Sequence, residues 1–77
     1  MTRRVVVTQR HIDAAVPGRD GQCPVCLALG GRDTRVGAFV TLIGDTRVRT
    51  PDAVAAFVSA FDAGETVRPF TFDLELP

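Results

Sequence analysis

The chain has 77 residues, which is enough for a single small domain covering residues 1–77. A domain of this size needs most of its apolar side chains to form its core. Apolar residues make up 45% of the sequence, a share that excludes a disordered chain. Nine basic residues, all of them arginine, balance nine acidic ones, so bulk charge does not attract the protein to nucleic acid or to anionic membranes. No apolar run reaches the length of a signal-peptide core or a membrane span, and we therefore expect a cytoplasmic protein.

The N-terminal region predicts a strand followed by a short helix. "RRVVVT" (3–8) is rich in β-branched residues and is typical of a buried strand. Thr8 is a suitable N-cap for a helix over "QRHIDAAV" (9–16), which Pro17-Gly18 ends. This part of the chain therefore predicts the order β-α.

The next segment places two cysteines at the start of a second short helix. Cys23 is its expected N-cap, Pro24 occupies its first position, and Gly30-Gly31 ends it. A helix N-terminus stabilises a thiolate, and the Cys-Pro-x-Cys pattern is similar to the glutaredoxin motif. One alternative function is therefore a thiol redox protein that uses Cys23 and Cys26.

Neither redox nor zinc chemistry is the main prediction for Cys23 and Cys26. A thioredoxin-like fold places its motif directly after a strand, whereas a predicted helix intervenes here. A structural zinc site needs four ligands; these cysteines together with His11 supply three, and the fourth could only be guessed as Asp13 or Asp20. We predict structural thiols in a protein that is not an enzyme, with no catalytic, cofactor-binding or metal-binding residues, and keep zinc binding within the alternative.

The apolar segment 36–43 and the returning segment "TRVRT" (46–50) predict a hairpin that turns at Gly44-Asp45. The pairs expected across this two-residue turn are Ile43 with Thr46, Leu42 with Arg47, and Thr41 with Val48. This register puts Phe39, Thr41, Ile43 and Val48 on one face and Val36, Ala38, Val40 and Leu42 on the other.

The third predicted helix has the clearest boundaries. Thr50 is its expected N-cap, Pro51 and Asp52 lie in its first turn, and Gly64 closes it. Its large apolar residues recur at i, i+3, i+4 and i+7 and form one stripe, consisting of Val54, Phe57, Val58 and Phe61. A second surface carries small residues, namely Ala55, Ala56, Ser59 and Ala63.

The last segment, "PFTFDLEL" (69–76), alternates apolar and polar residues and predicts a half-exposed strand that packs on the third helix. The predicted order of elements is β-α-α-β-β-α-β. This order is typical of an α+β domain with two layers, in which helices cover one face of a four-stranded, mainly antiparallel sheet.

Three segments carry a resemblance that extends over nearly the whole chain. They are "HID" at residues 11–13, "CPVCLAL" at 23–29 and "FVSAFDAGETVRPFTFDL" at 57–74. This pattern is similar to a group of small uncharacterised proteins encoded by bacteriophages of GC-rich bacteria. The resemblance implies a protein of the bacterial host cytoplasm with a host-modulating role, and it implies no functional residue.

The sequence favours a small protein–protein interaction module that forms a homodimer and could also bind a host protein. The reason is that the predicted strand 36–43 is apolar on both faces, while three short helices cover one face of the sheet. The candidate interface consists of Val36, Ala38, Val40, Leu42, Arg47 and Arg49. Nucleic-acid binding through Arg32, Arg35, Arg47 and Arg49 is a further alternative, which the nearby Asp33 and Asp45 disfavour.

Overall fold

The computed structural model describes residues 1–18, 22–30 and 33–77. Within them the elements are β1 (Thr2–Val7), α1 (Gln9–Ala14), α2 (Pro24–Ala28), β2 (Thr34–Val36), β3 (Val40–Ile43), β4 (Thr46–Arg49), α3 (Asp52–Asp62) and β5 (Phe70–Glu75). The α+β class is confirmed, but the single four-stranded sheet is not. The described strands form two antiparallel sheets, one with the order β1-β5 and the other with the order β2-β3-β4.

The two-stranded sheet joins the beginning and the end of the described chain. β1 pairs with β5 so that Val7 lies opposite Phe70 and Val5 lies opposite Phe72. The predicted alternation of the last strand is confirmed, because Phe72 and Leu74 are buried while Thr71, Asp73 and Glu75 are exposed. Apart from Val6, the outer face is polar, and it carries an exposed ion pair between Arg4 and Asp73 with a nitrogen–oxygen distance of 3.4 Å.

The three-stranded sheet differs from the predicted hairpin in one important way. The segment 36–43 is not one strand, since β2 ends at Val36 and β3 begins at Val40. The chain turns at Gly37, whose N–H donates to the carbonyl oxygen of Val40 at 2.9 Å. A Cβ atom at position 37 would lie 2.9 Å from that same oxygen, so the close approach of the two strands favours glycine.

The turn between β3 and β4 agrees with the sequence prediction. Gly44 has a φ of 60°, as the first residue of this kind of two-residue turn requires. The pairs across the turn are the three that the sequence predicts: Ile43 with Thr46, Leu42 with Arg47, and Thr41 with Val48. The predicted register of this hairpin is therefore confirmed.

The core lies where both sheets and the helices α2 and α3 meet. Its buried cluster contains Val5, Val7, Cys23, Val25, Cys26, Leu29, Val48, Val54, Phe72 and Leu74. The apolar stripe of α3 faces this core, with Val54 and Phe61 buried and Phe57 and Val58 half-buried. The ring centroids of Phe57 and Phe70 are 4.5 Å apart, which confirms that α3 packs on β5.

The helix caps confirm two predictions and correct one. Thr8 caps α1 by a reciprocal capping box with His11, and the Cys23 sulfur caps α2 by accepting from the N–H of Cys26. Thr50 does not cap α3, because the N-cap residue is Pro51 and no side chain bonds to that helix end. The Thr50 hydroxyl instead lies 2.8 Å from the Thr41 hydroxyl inside the hairpin.

Two of the described helices are short, α1 with six residues and α2 with five, whereas α3 has eleven. α1 ends at Ala14, two residues before the predicted end, and α2 ends at Ala28, while Gly31 lies outside the described residues. No helix in residues 1–18, 22–30 and 33–77 has the length and apolar character needed to cross a membrane.

Candidate interaction surface

The outer face of the three-stranded sheet carries three arginines around two aliphatic residues. Residues directly opposite each other on paired strands project to the same side of a sheet. Leu42 on β3 lies between Arg35 on β2 and Arg47 on β4, and Val40 lies opposite Arg49. We call these five residues the arginine face.

The structure changes the membership of the candidate interface. Val40, Leu42, Arg47 and Arg49 lie together as the sequence predicts. Val36 does not join them, because it pairs with the buried Thr41 and packs against the core. Ala38 also lies outside the face, since it belongs to the turn between β2 and β3.

Arg35 is the member of the arginine face that the sequence-predicted interface lacks. Its place follows from the turn at Gly37, which folds β2 back onto β3 and puts Arg35 opposite Leu42. In the sequence, Gly37 is the residue that could indicate this turn, but an isolated glycine inside an apolar run is also compatible with a continuous strand. Arg32, part of the nucleic-acid alternative, lies outside the described residues.

The charges on the arginine face are weakly compensated. Arg49 approaches Asp52 at 4.0 Å, with both side chains almost fully exposed, and a pair of this kind contributes little energy. Within the described part of the chain, no ion pair is formed by Arg35 or Arg47. The face therefore presents positive charge around an apolar centre.

Apolar surface is exposed beside these arginines. Val40 is 39% exposed, and the neighbouring Phe39 in the turn is 83% exposed. The prediction that Phe39 shares a strand face with Thr41 is wrong, because residue 39 lies in the turn rather than in a strand. The Phe39 carbonyl still accepts the Thr50 N–H at 2.9 Å, so its backbone is held while its ring faces solvent. Exposed rings of this size favour an interaction site.

A groove opens between the same turn and α3. Its cavity volume is about 210 Å³. Its lining includes Val36 at the end of β2, Ala38 in the turn, and four residues of α3, namely Ala55, Val58, Ser59 and Asp62. Two of the small residues that the sequence places on a separate helix surface, Ala55 and Ser59, therefore line a groove. We call it the α3 groove.

The two cysteines lie in the core. Cys23 and Cys26 are 6% and 1% exposed, are not joined by a disulfide, and have their sulfur atoms 3.0 Å apart. The hydrogen bond from the Cys23 thiol to the Cys26 sulfur, followed by burial, raises the pKa of Cys23 well above its ordinary value. Nucleophilic attack requires a thiolate, so this environment suits structural thiols better than a redox pair.

Metal ligation has little support around the cysteines. His11 uses its Nδ1 atom to accept the N–H of Thr8 at 3.0 Å and so belongs to the cap of α1. Among the described residues, no group of three or more histidine, cysteine, aspartate or glutamate side chains is arranged to hold a metal ion. Asp20, a neighbour of the motif in sequence, lies outside these residues.

Comparison with protein-family models, with curated proteins and with solved structures finds no match for this chain. Over the residues that the structure describes, the fold and the site define a small α+β protein with two antiparallel sheets and a positively charged sheet face. The resemblance to phage-encoded proteins stays a prediction from the sequence.

Proposed function

We propose that this protein is a non-catalytic interaction module that binds an acidic surface of a partner protein through the arginine face. The observation that carries the proposal is the register of β2, β3 and β4, which groups Arg35, Arg47 and Arg49 around Val40 and Leu42. An apolar centre with arginines around it is typical of protein interfaces. If the chain is encoded by a phage, the partner would be a protein of the bacterial host.

A protein partner fits this face better than a nucleic acid. Sheets that bind single-stranded RNA or DNA commonly stack bases on aromatic side chains of their strands. The outward residues of β2, β3 and β4 are arginine, valine and leucine, and the nearest exposed ring, that of Phe39, lies in a turn. The arginines are therefore better placed to pair with carboxylates around an apolar contact.

Self-association through this same face is disfavoured by charge. Two copies stacked face to face would bring three arginines against three arginines, and like charges at an interface oppose binding. The partner of the arginine face should therefore carry the opposite charge.

A binding assay with two defined probes tests the proposal. A fluorescent peptide of alternating glutamate and leucine represents an acidic, partly apolar protein surface, and a single-stranded oligonucleotide of equal charge represents nucleic acid. We expect the peptide to bind the unmodified protein. The double variant Arg35→Glu with Arg47→Glu should weaken this binding at least about ten-fold at low salt. Arg10→Glu with Arg68→Glu changes net charge equally at exposed positions on α1 and after α3, and should bind normally.

The outcomes separate the candidate functions. Equal loss of peptide binding in both double variants would show attraction to overall charge and would refute a specific site. Tighter binding of the oligonucleotide, lost with Arg35 and Arg47, would assign the face to nucleic acid instead. Binding to neither probe would contradict both assignments of the arginine face.

A further inference from the structure

The turn between β2 and β3 presents an exposed ring and a groove next to each other. Phe39 is 83% exposed, and the preceding residue, Ala38, lines the α3 groove. We propose that two copies of this chain form a two-fold dimer in which Phe39 of each copy occupies the α3 groove of the other. This dimer uses a different surface from the centre of the arginine face.

The groove has a suitable size for a phenyl ring. Its volume is about 210 Å³, and an apolar cavity of about 150 Å³ is large enough to bind benzene. Val36, Ala38, Ala55 and Val58 form its apolar lining. The alanines leave the space that an inserted ring needs, and aliphatic groups then contact the ring on several sides.

A second copy is the occupant that the arrangement favours. A two-fold interface uses the same surface of both copies, so each copy must carry both complementary parts. Here the ring belongs to Phe39, and the residue before it, Ala38, lines the groove together with residues of α3, which places both parts within one small patch. A two-fold axis beside the turn lets both rings enter both grooves at once and closes the assembly at two copies.

Charge on the two sides of the patch is also complementary. Arg49 lies opposite Val40, next to the protruding Phe39, whereas Asp62 lines the groove. Reciprocal insertion brings the arginine beside each ring towards the carboxylate of the other copy's groove. The homodimer expected from the sequence is therefore retained, but its contact moves from the sheet face to the turn.

Sedimentation equilibrium of the full chain with three single variants tests the dimer. Phe39→Ala removes the exposed ring, Ala55→Leu fills the groove, and Val6→Ala is the control. Val6 is 53% exposed and lies on β1, outside the proposed contact. We expect a dimer in the micromolar range for the unmodified protein and for Val6→Ala. For Phe39→Ala, the dissociation constant of the dimer should rise at least about ten-fold, because the variant loses a central aromatic anchor.

Mixing two variants gives a result that a general loss of stability cannot produce. Phe39→Ala keeps an open groove, and Ala55→Leu keeps its ring, so a mixture can form one ring–groove contact that neither variant forms alone. We expect the mixture to associate more strongly than either variant alone and more weakly than the unmodified protein.

Several results would overturn the dimer. The unmodified protein could be monomeric at the highest concentration measured, or it could form open-ended oligomers instead of dimers. Phe39→Ala could associate as strongly as the unmodified protein, or the mixture could associate no more strongly than either variant alone. The exposed position of Phe39 makes Phe39→Ala informative even if Ala55→Leu fails to fold. Arg35→Glu with Arg47→Glu should remain dimeric, which distinguishes failure of this contact from failure of the arginine face.

Discussion

The contact between Thr41 and Thr50 offers a sharp test of how this small fold is held together. The two hydroxyl oxygens are 2.8 Å apart, and both residues are 2% exposed. Changing either threonine to valine preserves the side-chain shape and leaves the other hydroxyl buried without this partner. We expect each single change to cost about 1–3 kcal/mol of unfolding free energy. That is a large loss for a chain of 77 residues, whose total stability is about 4–12 kcal/mol at the usual value per residue.

The double variant distinguishes this contact from a helix cap. With Thr41→Val and Thr50→Val together, no hydroxyl of the pair remains to be satisfied, so the double change should cost less than the sum of the single changes by about 0.5–3 kcal/mol. Urea denaturation followed by circular dichroism measures all of these free energies. Thr71→Val, at an exposed position of β5, is the control and should stay within about 0.5 kcal/mol of the unmodified protein. Additive effects of the two changes would refute the coupling and return Thr50 to a role at the helix end.

Two further predictions concern the core. Cys23→Ser with Cys26→Ala should remain folded, because serine is a good N-cap and alanine a good helix former. Since the pKa of the Cys23 thiol is raised in the fold, the unmodified protein should lose stability as pH rises above about 8.5, where unfolded cysteines ionise. The double variant should lack the cysteine contribution to this loss. Thermal melts between neutral and alkaline pH measure how the melting temperature of each protein changes with pH. An equal change in both proteins would contradict the buried environment assigned to the Cys23 thiol. Phe61→Ala, at a buried position of α3, should cost about 3–5 kcal/mol, and a denaturation midpoint close to that of Ser59→Ala would show that this face of the helix is misassigned.

Part of the candidate site was predictable because it depends on neighbouring residues. The turn at Gly44-Asp45 determines which residues of β3 and β4 lie opposite each other, and so Val40, Leu42, Arg47 and Arg49 could be grouped. Arg35 joins this group through the pairing of β2 with β3. That pairing follows from a turn with no strong dipeptide signal, and the sequence pattern therefore puts Val36 and Ala38 in the group instead.

The sequence by itself determined the features that repeat along a single element. The alternation in β5 and the apolar stripe of α3 identify their buried faces, because each period matches the geometry of a strand or a helix. The Thr8 and Cys23 caps are likewise local, since the capping atom and the helix end are a few residues apart.

Only the tertiary structure decided how the strands divide between two sheets. β1 pairs with β5 rather than joining the other strands, although Val5 and Phe72 lie far apart along the chain. Thr50 is a suitable cap by its position, but its hydroxyl bonds to Thr41 because the hairpin brings that group within reach. Such choices depend on competition between local and distant partners for the same atoms, and a linear pattern records only the local ones.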